Sequence, residues 1–452
     1  MRALTARFGP ALFLLAYFFW FAGGGLRARF TGDDLMNLNF HLTPSFPELL
    51  RSNLTYWSTA YRPMGGIFYV AIYRLAGLRP MPFRVLCFVL LLANLWLMYR
   101  MSLRLSARRE VALLATLLVT YHAWFVNLYY STGTIYELLS FGFYFAAFDY
   151  YLGVRQSGAP FRVRQWAVFL ALYICALNSK ELAVTLPACL LCYEAIWYGP
   201  KASARGVGIS ALVTLPYVFG KLTGPESLPA IDPLYRPAIS AARYLHTFHL
   251  YLNVLFYQDH FFRDANTILI VAGMLALALW RRSRPLLFAW CFILFSMLPF
   301  IFLPHYSGFF LYLPMAGWAW YGATVLEMLR VRFVKSLPSW ALFLAVGLAL
   351  APFHVRESRR TMQVFTSAEL PTTEMIAQLR QVQPSLPRGA LLYFDSDPFP
   401  SKTYYLVFLI RLLYRDLSIQ VARAKDDDPM EGGHFDAVFR WTGGKLAKAA
   451  SP

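Results

Sequence analysis

Eleven apolar runs separated by short polar connections make up most of the first 353 residues, and their lengths predict membrane-spanning helices. The runs cover residues 9–26, 85–99, 111–128, 134–153, 165–178, 182–198, 207–220, 266–280, 285–303, 308–327 and 337–353. Several are shorter than the ~20 residues that an untilted span needs, so interfacial Tyr, Trp and Arg side chains must complete their ends. The pattern predicts an all-α polytopic membrane protein with about 11 transmembrane helices.

Composition agrees with this interpretation and excludes a soluble enzyme. Of the 452 residues, 58% are hydrophobic and 15% are charged, against about 45–50% and 25% in soluble domains. The net charge of +18 comes from basic residues clustered between apolar runs, so we expect no nucleic-acid partner. All five cysteines lie inside apolar runs, which indicates neither a disulfide framework nor a zinc site.

The basic residues lie in alternate connections, which predicts the orientation of the chain. Fifteen Lys and Arg occupy every second connection, whereas the opposite short connections hold one, Lys180. Because cytoplasmic loops are enriched in Lys and Arg, we predict a cytoplasmic N-terminus and place segments 27–84 and 221–265 outside. The first run is expected to remain as an uncleaved anchor. A bacterial inner membrane is favoured over the endoplasmic reticulum.

One apolar stretch is predicted not to cross the membrane. Residues 63–73 are flanked by Arg62 and Arg74, and a full span here would invert every later connection against the charge rule. We therefore predict that residues 61–78 form an interfacial or re-entrant helix on the outer face.

A change of composition after residue 353 predicts a second domain. Residues 1–353 form the predicted membrane domain, and residues 354–452 a small α/β appendage that eleven spans would place outside. Its predicted elements are a strand at 389–394, a helix at 402–415, and strands at 417–423 and 435–441.

Ionisable residues at the outer membrane edge are the candidates for chemistry, because charge near lipid is costly. Asp33 and Asp34 directly follow the first run, and Tyr61-Arg62 opens the predicted re-entrant helix. One of two adjacent carboxylates can face a reaction centre, and an arginine can bind phosphate through two hydrogen bonds. The alternatives are an Asp-capped polar turn and a contact to lipid headgroups.

Six motifs in order resemble the membrane half of transmembrane O-mannosyltransferases with tetratricopeptide repeats, and more broadly the GT-C class of lipid-linked sugar transferases. The resemblance covers roughly residues 9–330. The motifs are Asp33-Asp34, YRPMGGIFYVAIYRLAG from Tyr61 with PMPFR behind it, Tyr121-His122, YELL at 136–139, NSKELAVTLP at 178–187 and FLYLPMAGW at 310–318. The repeats are absent, and the appendage stands in their place.

The resemblance implies a GT-C-like bundle with outer-face interfacial helices, and it implies roles for particular residues. Asp34 would be the catalytic carboxylate and general base, with Asp33 as its neighbour. Arg62, Lys180 and Glu181 would lie around the donor phosphate or the cavity, with Glu137 at an outer helix end. Further candidates for this region, which the resemblance does not supply, are Tyr61, Arg243, His305 and Tyr306. The implied donor is a polyprenyl-phosphate sugar, mannose in the family resembled, and the acceptor is a protein or glycan hydroxyl.

The second outer segment carries a weaker candidate for a metal site. His246 and His249 are predicted to share a helical face with Asn253. Spacing fixes no third ligand, so an interfacial polar face is the alternative that we favour. The sequence therefore requires no cofactor and leaves a divalent metal open.

The predicted function is transfer of a sugar from the lipid donor to an acceptor on the extracytoplasmic face. The alternative is a transporter or flippase for a lipid-linked sugar, in which the same residues would bind without breaking a bond. Transporters commonly have internal repeats and charged or broken helices near the bilayer midplane. Here the ionisable residues cluster at one edge, which favours the enzyme.

Overall fold

A computed structural model describes residues 2–58, 60–120, 122–223, 230, 233–258, 260–304, 306–426 and 435–449. This part of the chain is mostly helical, with one small sheet near its C-terminal end. The helices are Arg2–Ala22, Gly32–Leu42, Phe46–Leu54, Pro63–Ala76, Pro80–Ser106, Arg109–Thr120, Val126–Tyr130, Ile135–Gln156, Val163–Ser179, Leu186–Tyr198, Ala204–Thr223, Ala241–Leu255, Asp264–Trp280, Arg284–Ser296, Leu298–Ile301, Met315–Phe333, Ser339–Val382 and Tyr405–Tyr414.

Each predicted apolar run falls on a helix or on two successive helical pieces, as expected for a multi-pass membrane protein. In the described residues, six helical segments are long and apolar enough to cross a membrane. They are Gly9–Arg27, Pro80–Ser106, Glu181–Lys201, Ala204–Thr223, Arg284–Ile301 and Ser339–Val382. Other runs are interrupted: run 111–128 is divided between Arg109–Thr120 and Val126–Tyr130.

The stretch predicted to be re-entrant is a separate short helix. Pro63–Ala76 has 14 residues, or about 21 Å of length, against a hydrocarbon core of ~30 Å. It packs against the helices Gly32–Leu42 and Phe46–Leu54. Its length and neighbours favour the re-entrant position, which stays a prediction.

The last membrane helix continues far beyond the predicted domain boundary. Ser339–Val382 is a single helix of 44 residues that contains Pro352 and Pro371; at 1.5 Å per residue it is about 66 Å long. The polar residues after position 353 therefore mark a change of surroundings and not the end of a helix. Most of them, such as Arg, Gln, Met and Glu, are good helix formers.

The C-terminal appendage contains the predicted α/β elements and one additional strand. The strands are β1 Leu391–Phe394, β2 Gln420–Arg423, β3 Ala437–Thr442 and β4 Lys445–Ala449, in the order β2-β1-β3-β4. β1 is parallel to β2 and β3, and β3 is antiparallel to β4. β4 escaped prediction because KLAKA has little strand propensity, although the preceding Gly443-Gly444 pair is a hairpin signal.

The appendage docks on segment 27–84. Its helix Tyr405–Tyr414 packs against Gly32–Leu42, and the Tyr73 hydroxyl donates to the Leu412 carbonyl at 2.6 Å. Gly32 permits the approach, because a Cβ there would lie 2.5 Å from the Tyr405 ring. The two segments therefore lie on one side of the molecule.

Candidate active site

Asp34 is a buried acceptor that ties three parts of the chain together. Its Oδ2 accepts from the Thr31 backbone N–H at 2.9 Å and hydroxyl at 3.1 Å. Its Oδ1 accepts from Ser131 Oγ at 3.0 Å, Thr132 Oγ1 at 2.7 Å and the Gly133 N–H at 2.7 Å. Asp34 is 1% exposed. A carboxylate engaged in this way stabilises a fold but has little capacity left to take a proton from a substrate.

Arg84 completes this buried node. Its guanidinium donates to the carbonyls of Ala28 at 3.3 Å and Arg29 at 2.7 Å, and lies 3.4 Å from Asp34 Oδ2. Because both side chains are almost fully buried, each charge depends on the other for compensation. The node joins the end of the first membrane helix, the outer helix Gly32–Leu42 and the helix Pro80–Ser106.

Asp33 lies on the exposed side of the same helical turn. Its Oδ1 accepts from the Tyr405 hydroxyl at 3.0 Å, and its backbone carbonyl accepts from Asn37 Nδ2 at 2.8 Å. Its carboxylate is therefore open to an incoming molecule, whereas that of Asp34 is not. The adjacent carboxylates face different surroundings: that of Asp34 is buried and that of Asp33 is exposed. The catalytic role of Asp34 stays a prediction.

Arg62 and Glu181 form a bidentate ion pair at the start of the short helix Pro63–Ala76. Arg62 Nε and Nη2 lie 3.1 and 2.9 Å from the two carboxylate oxygens, and Nη1 donates to the Tyr61 hydroxyl at 2.6 Å. The guanidinium lies over the rings of Tyr61 and Tyr136, 4.5 and 5.1 Å from their centroids. Arg62 adopts φ 41°, a conformation costly for a non-glycine residue, so surrounding contacts hold it in place.

Lys180 and Glu137 form a second ion pair, which is more deeply buried than the first. Lys180 Nζ donates to Glu137 Oε1 and lies 4.8 Å from the ring centroid of Phe310. Lys180 follows the helix Val163–Ser179 in extended conformation, and Glu137 lies in the first turn of Ile135–Gln156. The exposed side-chain fractions are 6% for Lys180 and 10% for Arg62, whereas Glu181 is 32% exposed.

Tyr136 and His41 connect the helix Gly32–Leu42 to a charged cluster. This cluster consists of Arg62, Glu181, Lys180 and Glu137. The Tyr136 hydroxyl donates to Asn37 Oδ1 at 2.8 Å and lies 2.8 Å from His41 Nε2. His41 also stacks on the Tyr61 ring, with centroids 6.3 Å apart. Burial lowers the pKa of His41 to about 4, and the charge of Arg62 adds to the effect. The imidazole is thus neutral at pH 7.

The remaining candidates, Arg243, His246, His249 and Tyr306, make contacts with other parts of the described chain. Arg243 donates to the Leu303 carbonyl at 2.7 Å. His249 Nδ1 lies 2.7 Å from Asp264 and its ring 4.9 Å from that of His246. The ring of Tyr306 packs on Tyr251.

The structure also bears on the candidate metal site and on the position of His305. Within the described residues, no three His, Cys, Asp or Glu side chains are grouped as metal ligands. This gives no support to the candidate pair His246 and His249. His305 lies outside the described residues.

Sequence reasoning left several residues of the site without a role. The pattern Thr31-x-x-Asp34 is a capping box, and the structure forms it. That signal could have separated Asp34 from Asp33. Arg84 and Tyr136 belong to motifs that carry the family resemblance. His41 and Tyr405 have no local sequence signal, because their partners are distant in sequence.

Comparison with known proteins supports the fold. No protein-family model and no curated protein match the chain. Among solved structures, ArnT from Cupriavidus metallidurans bound to undecaprenyl phosphate matches at 13% identity and a TM-score of 0.52, covering 96% of this chain and 93% of that one. Its apo state matches at 14% identity and a TM-score of 0.52, covering 94% and 87%.

The matched structures have the GT-C fold, which confirms the predicted fold class, including the small C-terminal appendage with strands. They also agree with an integral, multi-pass membrane protein. The narrower resemblance to repeat-bearing O-mannosyltransferases stays a prediction.

Proposed function

We propose that this protein is a membrane glycosyltransferase that moves a sugar from a polyprenyl-phosphate donor to an acceptor hydroxyl on the extracytoplasmic face. The observation that carries the proposal is the pair of buried cations, Arg62 and Lys180, brought together beside the outer segment of a GT-C fold. ArnT, which has this fold, was solved with undecaprenyl phosphate bound. A lipid that carries an activated sugar would need cations of this kind when its phosphate departs.

Asp33 is the general base in this proposal. It accepts the proton of the acceptor hydroxyl while the acceptor oxygen attacks the anomeric carbon. The bond between that carbon and the phosphate oxygen breaks, and polyprenyl phosphate leaves with the electron pair. Asp34 acts as a positioning residue, since its six polar contacts to Thr31, Ser131, Thr132, Gly133 and Arg84 hold the turn that presents Asp33.

Arg62 and Lys180 stabilise the leaving phosphate. Each is paired with a carboxylate, Arg62 with Glu181 and Lys180 with Glu137. Because Lys180 has three N–H donors and gives one to Glu137, it retains hydrogen-bonding capacity for a phosphate oxygen. Glu181 is the more exposed partner, so the donor phosphate is proposed to approach from its side.

The sugar and the acceptor are narrower parts of the proposal. Mannose as the sugar, and a protein or glycan hydroxyl as the acceptor, rest on the motif resemblance alone. A flippase with the same fold would bind the lipid-linked sugar without breaking the glycosyl bond. The carboxylate of Asp33 is exposed, and the residue is linked to the charged cluster through Asn37 and Tyr136. This arrangement favours the transferase.

The test is a comparison of donor binding and sugar transfer in Asp33→Asn and Asp34→Asn. The Asp33 variant keeps size and hydrogen bonding but loses the proton acceptor, so transfer should fall by roughly 10²-fold or more while polyprenyl-phosphate mannose still binds. In Asp34→Asn the main expected effect is a lower thermal stability. If Asp33→Asn transfers at the full rate and folded Asp34→Asn does not, the roles must be exchanged.

Substitution of the two cations provides a second test. Arg62→Ala or Lys180→Ala should reduce transfer about 10- to 1000-fold with expression retained. Arg388→Ala, an exposed arginine of the appendage, is the matched control. Release of polyprenyl phosphate by the unmodified protein separates transfer from flipping, because a flippase releases none.

A further inference from the structure

Two adjoining cavities lined by arginines lie at the outer end of the first membrane helix, apart from the charged cluster around Arg62. The first has a volume of about 390 Å³ and is lined by Arg27, Arg29 and Arg380. The second, of about 310 Å³, is lined by Arg79, Arg380 and Arg415. Leu78 and Arg380 line both cavities, so the five arginines lie around two neighbouring cavities.

The lining has the chemistry of an anion site. None of the described residues that line either cavity is acidic. Five guanidinium groups outnumber the one neighbouring carboxylate, Glu369, which interacts with Arg29. Arginine matches phosphate oxygens with paired N–H donors. Such a region favours a ligand with one or more phosphate groups.

A buried hydroxyl without a partner gives a second, independent indication of a ligand. Thr372 is 1% exposed and lines the first cavity. Its Oγ1 has no hydrogen-bond partner in the described part of the chain. An unsatisfied buried hydroxyl costs free energy, which a phosphate or glycerol oxygen in the cavity would remove. Thr372, Ile376 and Arg380 follow one helical face at spacings of four residues.

The position of the cavities identifies the ligand as a lipid. The first membrane-crossing segment ends at Arg27 and the next begins at Pro80, and both residues line the first cavity. Leu26, Phe30 and Ile376 provide an apolar wall beside the arginines. We propose that these cavities bind the phosphate headgroup of an anionic membrane lipid, with its acyl chains beside the first and second membrane helices.

This lipid would be bound next to the catalytic turn and not in it. Arg84 donates to the backbone carbonyls of Ala28 and Arg29, which line the first cavity, and contacts Asp34. The inference does not depend on the proposed sugar transfer, because its readout is lipid retention by the full chain.

The test uses the purified full-length protein in nanodiscs of phosphatidylcholine with a trace of labelled phosphatidylglycerol. We expect native mass spectrometry to find phosphatidylglycerol retained at least 10-fold over its bulk fraction. The double variant Arg29→Gln/Arg380→Gln should lose at least 5-fold of this retention, and Thr372→Val, which keeps the shape, should lose about 2- to 5-fold. Arg388→Gln should retain the lipid as the unmodified protein does.

Two results would overturn the proposal. One is equal retention of phosphatidylglycerol and phosphatidylcholine. The other is unchanged retention in folded Arg29→Gln/Arg380→Gln or in Thr372→Val. A further measurement uses inorganic phosphate. If 10 mM phosphate raises the melting temperature of the protein and the protein does not retain phosphatidylglycerol preferentially, the bound anion is free phosphate and the lipid proposal is rejected.

Discussion

His41 is a neutral imidazole between aromatic rings, and this makes the outer segment sensitive to acid. Its pKa is about 4 in the folded chain against 6.5 in the unfolded one. Between these values the unfolded state binds a proton that the folded state excludes. Stability is therefore complete above pH 6.5 and falls progressively toward pH 4, by about 3 kcal/mol at most.

The variant His41→Gln tests this pH dependence. Glutamine can still hydrogen-bond to the Tyr136 hydroxyl but does not titrate, so its melting temperature should fall less between pH 7 and pH 5 than that of the unmodified protein. The facing groups Tyr61, Tyr69 and Tyr136 remain protonated throughout this range, and Arg62 remains charged. Equal losses in both proteins would assign the acid sensitivity to other residues.

At the same scale, the sequence predicted which residues approach one another better than what each does. Tyr61, Arg62, Glu137, Lys180 and Glu181 were all expected near one cavity, and the structure brings them together. The order of motifs carried that information. The ion pairing and the burial of Asp34 depend on contacts across 43 to 119 positions of the chain, and local patterns cannot specify such contacts.

The helix Gly32–Leu42 and the appendage helix Tyr405–Tyr414 can approach each other only because residue 32 is a glycine. Gly32→Ala would place Cβ 2.5 to 2.7 Å from three atoms of the Tyr405 ring, so one of the helices must move. We expect the appendage to become more sensitive to limited proteolysis and sugar transfer to fall several-fold, because Asp33 loses its Tyr405 contact.

Gly208→Ala is the matched control for this substitution. Its Cβ would meet no atom within 4 Å, and alanine is the better helix former. Cleavage and transfer should therefore match those of the unmodified protein. Unchanged protease sensitivity in Gly32→Ala would show that the appendage docks through other contacts.

The orientation of the chain in the membrane is a property of the whole molecule. The charge rule places residue 107 inside and the appendage outside, and the docking of the appendage on segment 27–84 agrees with their lying on one side. Ala107→Cys should resist a membrane-impermeant maleimide in sealed cells, whereas Pro400→Cys should react. Labelling at 107 and protection at 400 would reverse the topology.

Fold class and element positions were predictable at this scale because a bilayer imposes strong length and polarity requirements. The continuity of the helix Ser339–Val382 was not, since hydropathy reports the surroundings of a residue and not its backbone conformation. β4 was missed for a related reason: its pairing with β3 supplies the order that KLAKA lacks.

The hydrogen bond from Tyr405 to Asp33 joins residues 372 positions apart, which has a consequence for biosynthesis. The N-terminal part of a chain is made first, so Asp33 enters the membrane compartment long before its partner exists. The turn around Asp34 can form once residue 133 has emerged. The appendage contact cannot form until the helix Tyr405–Tyr414 has been synthesised. Assembly is thus sequential: the contacts of Asp34 can form early, and the contact of Asp33 with Tyr405 is added later.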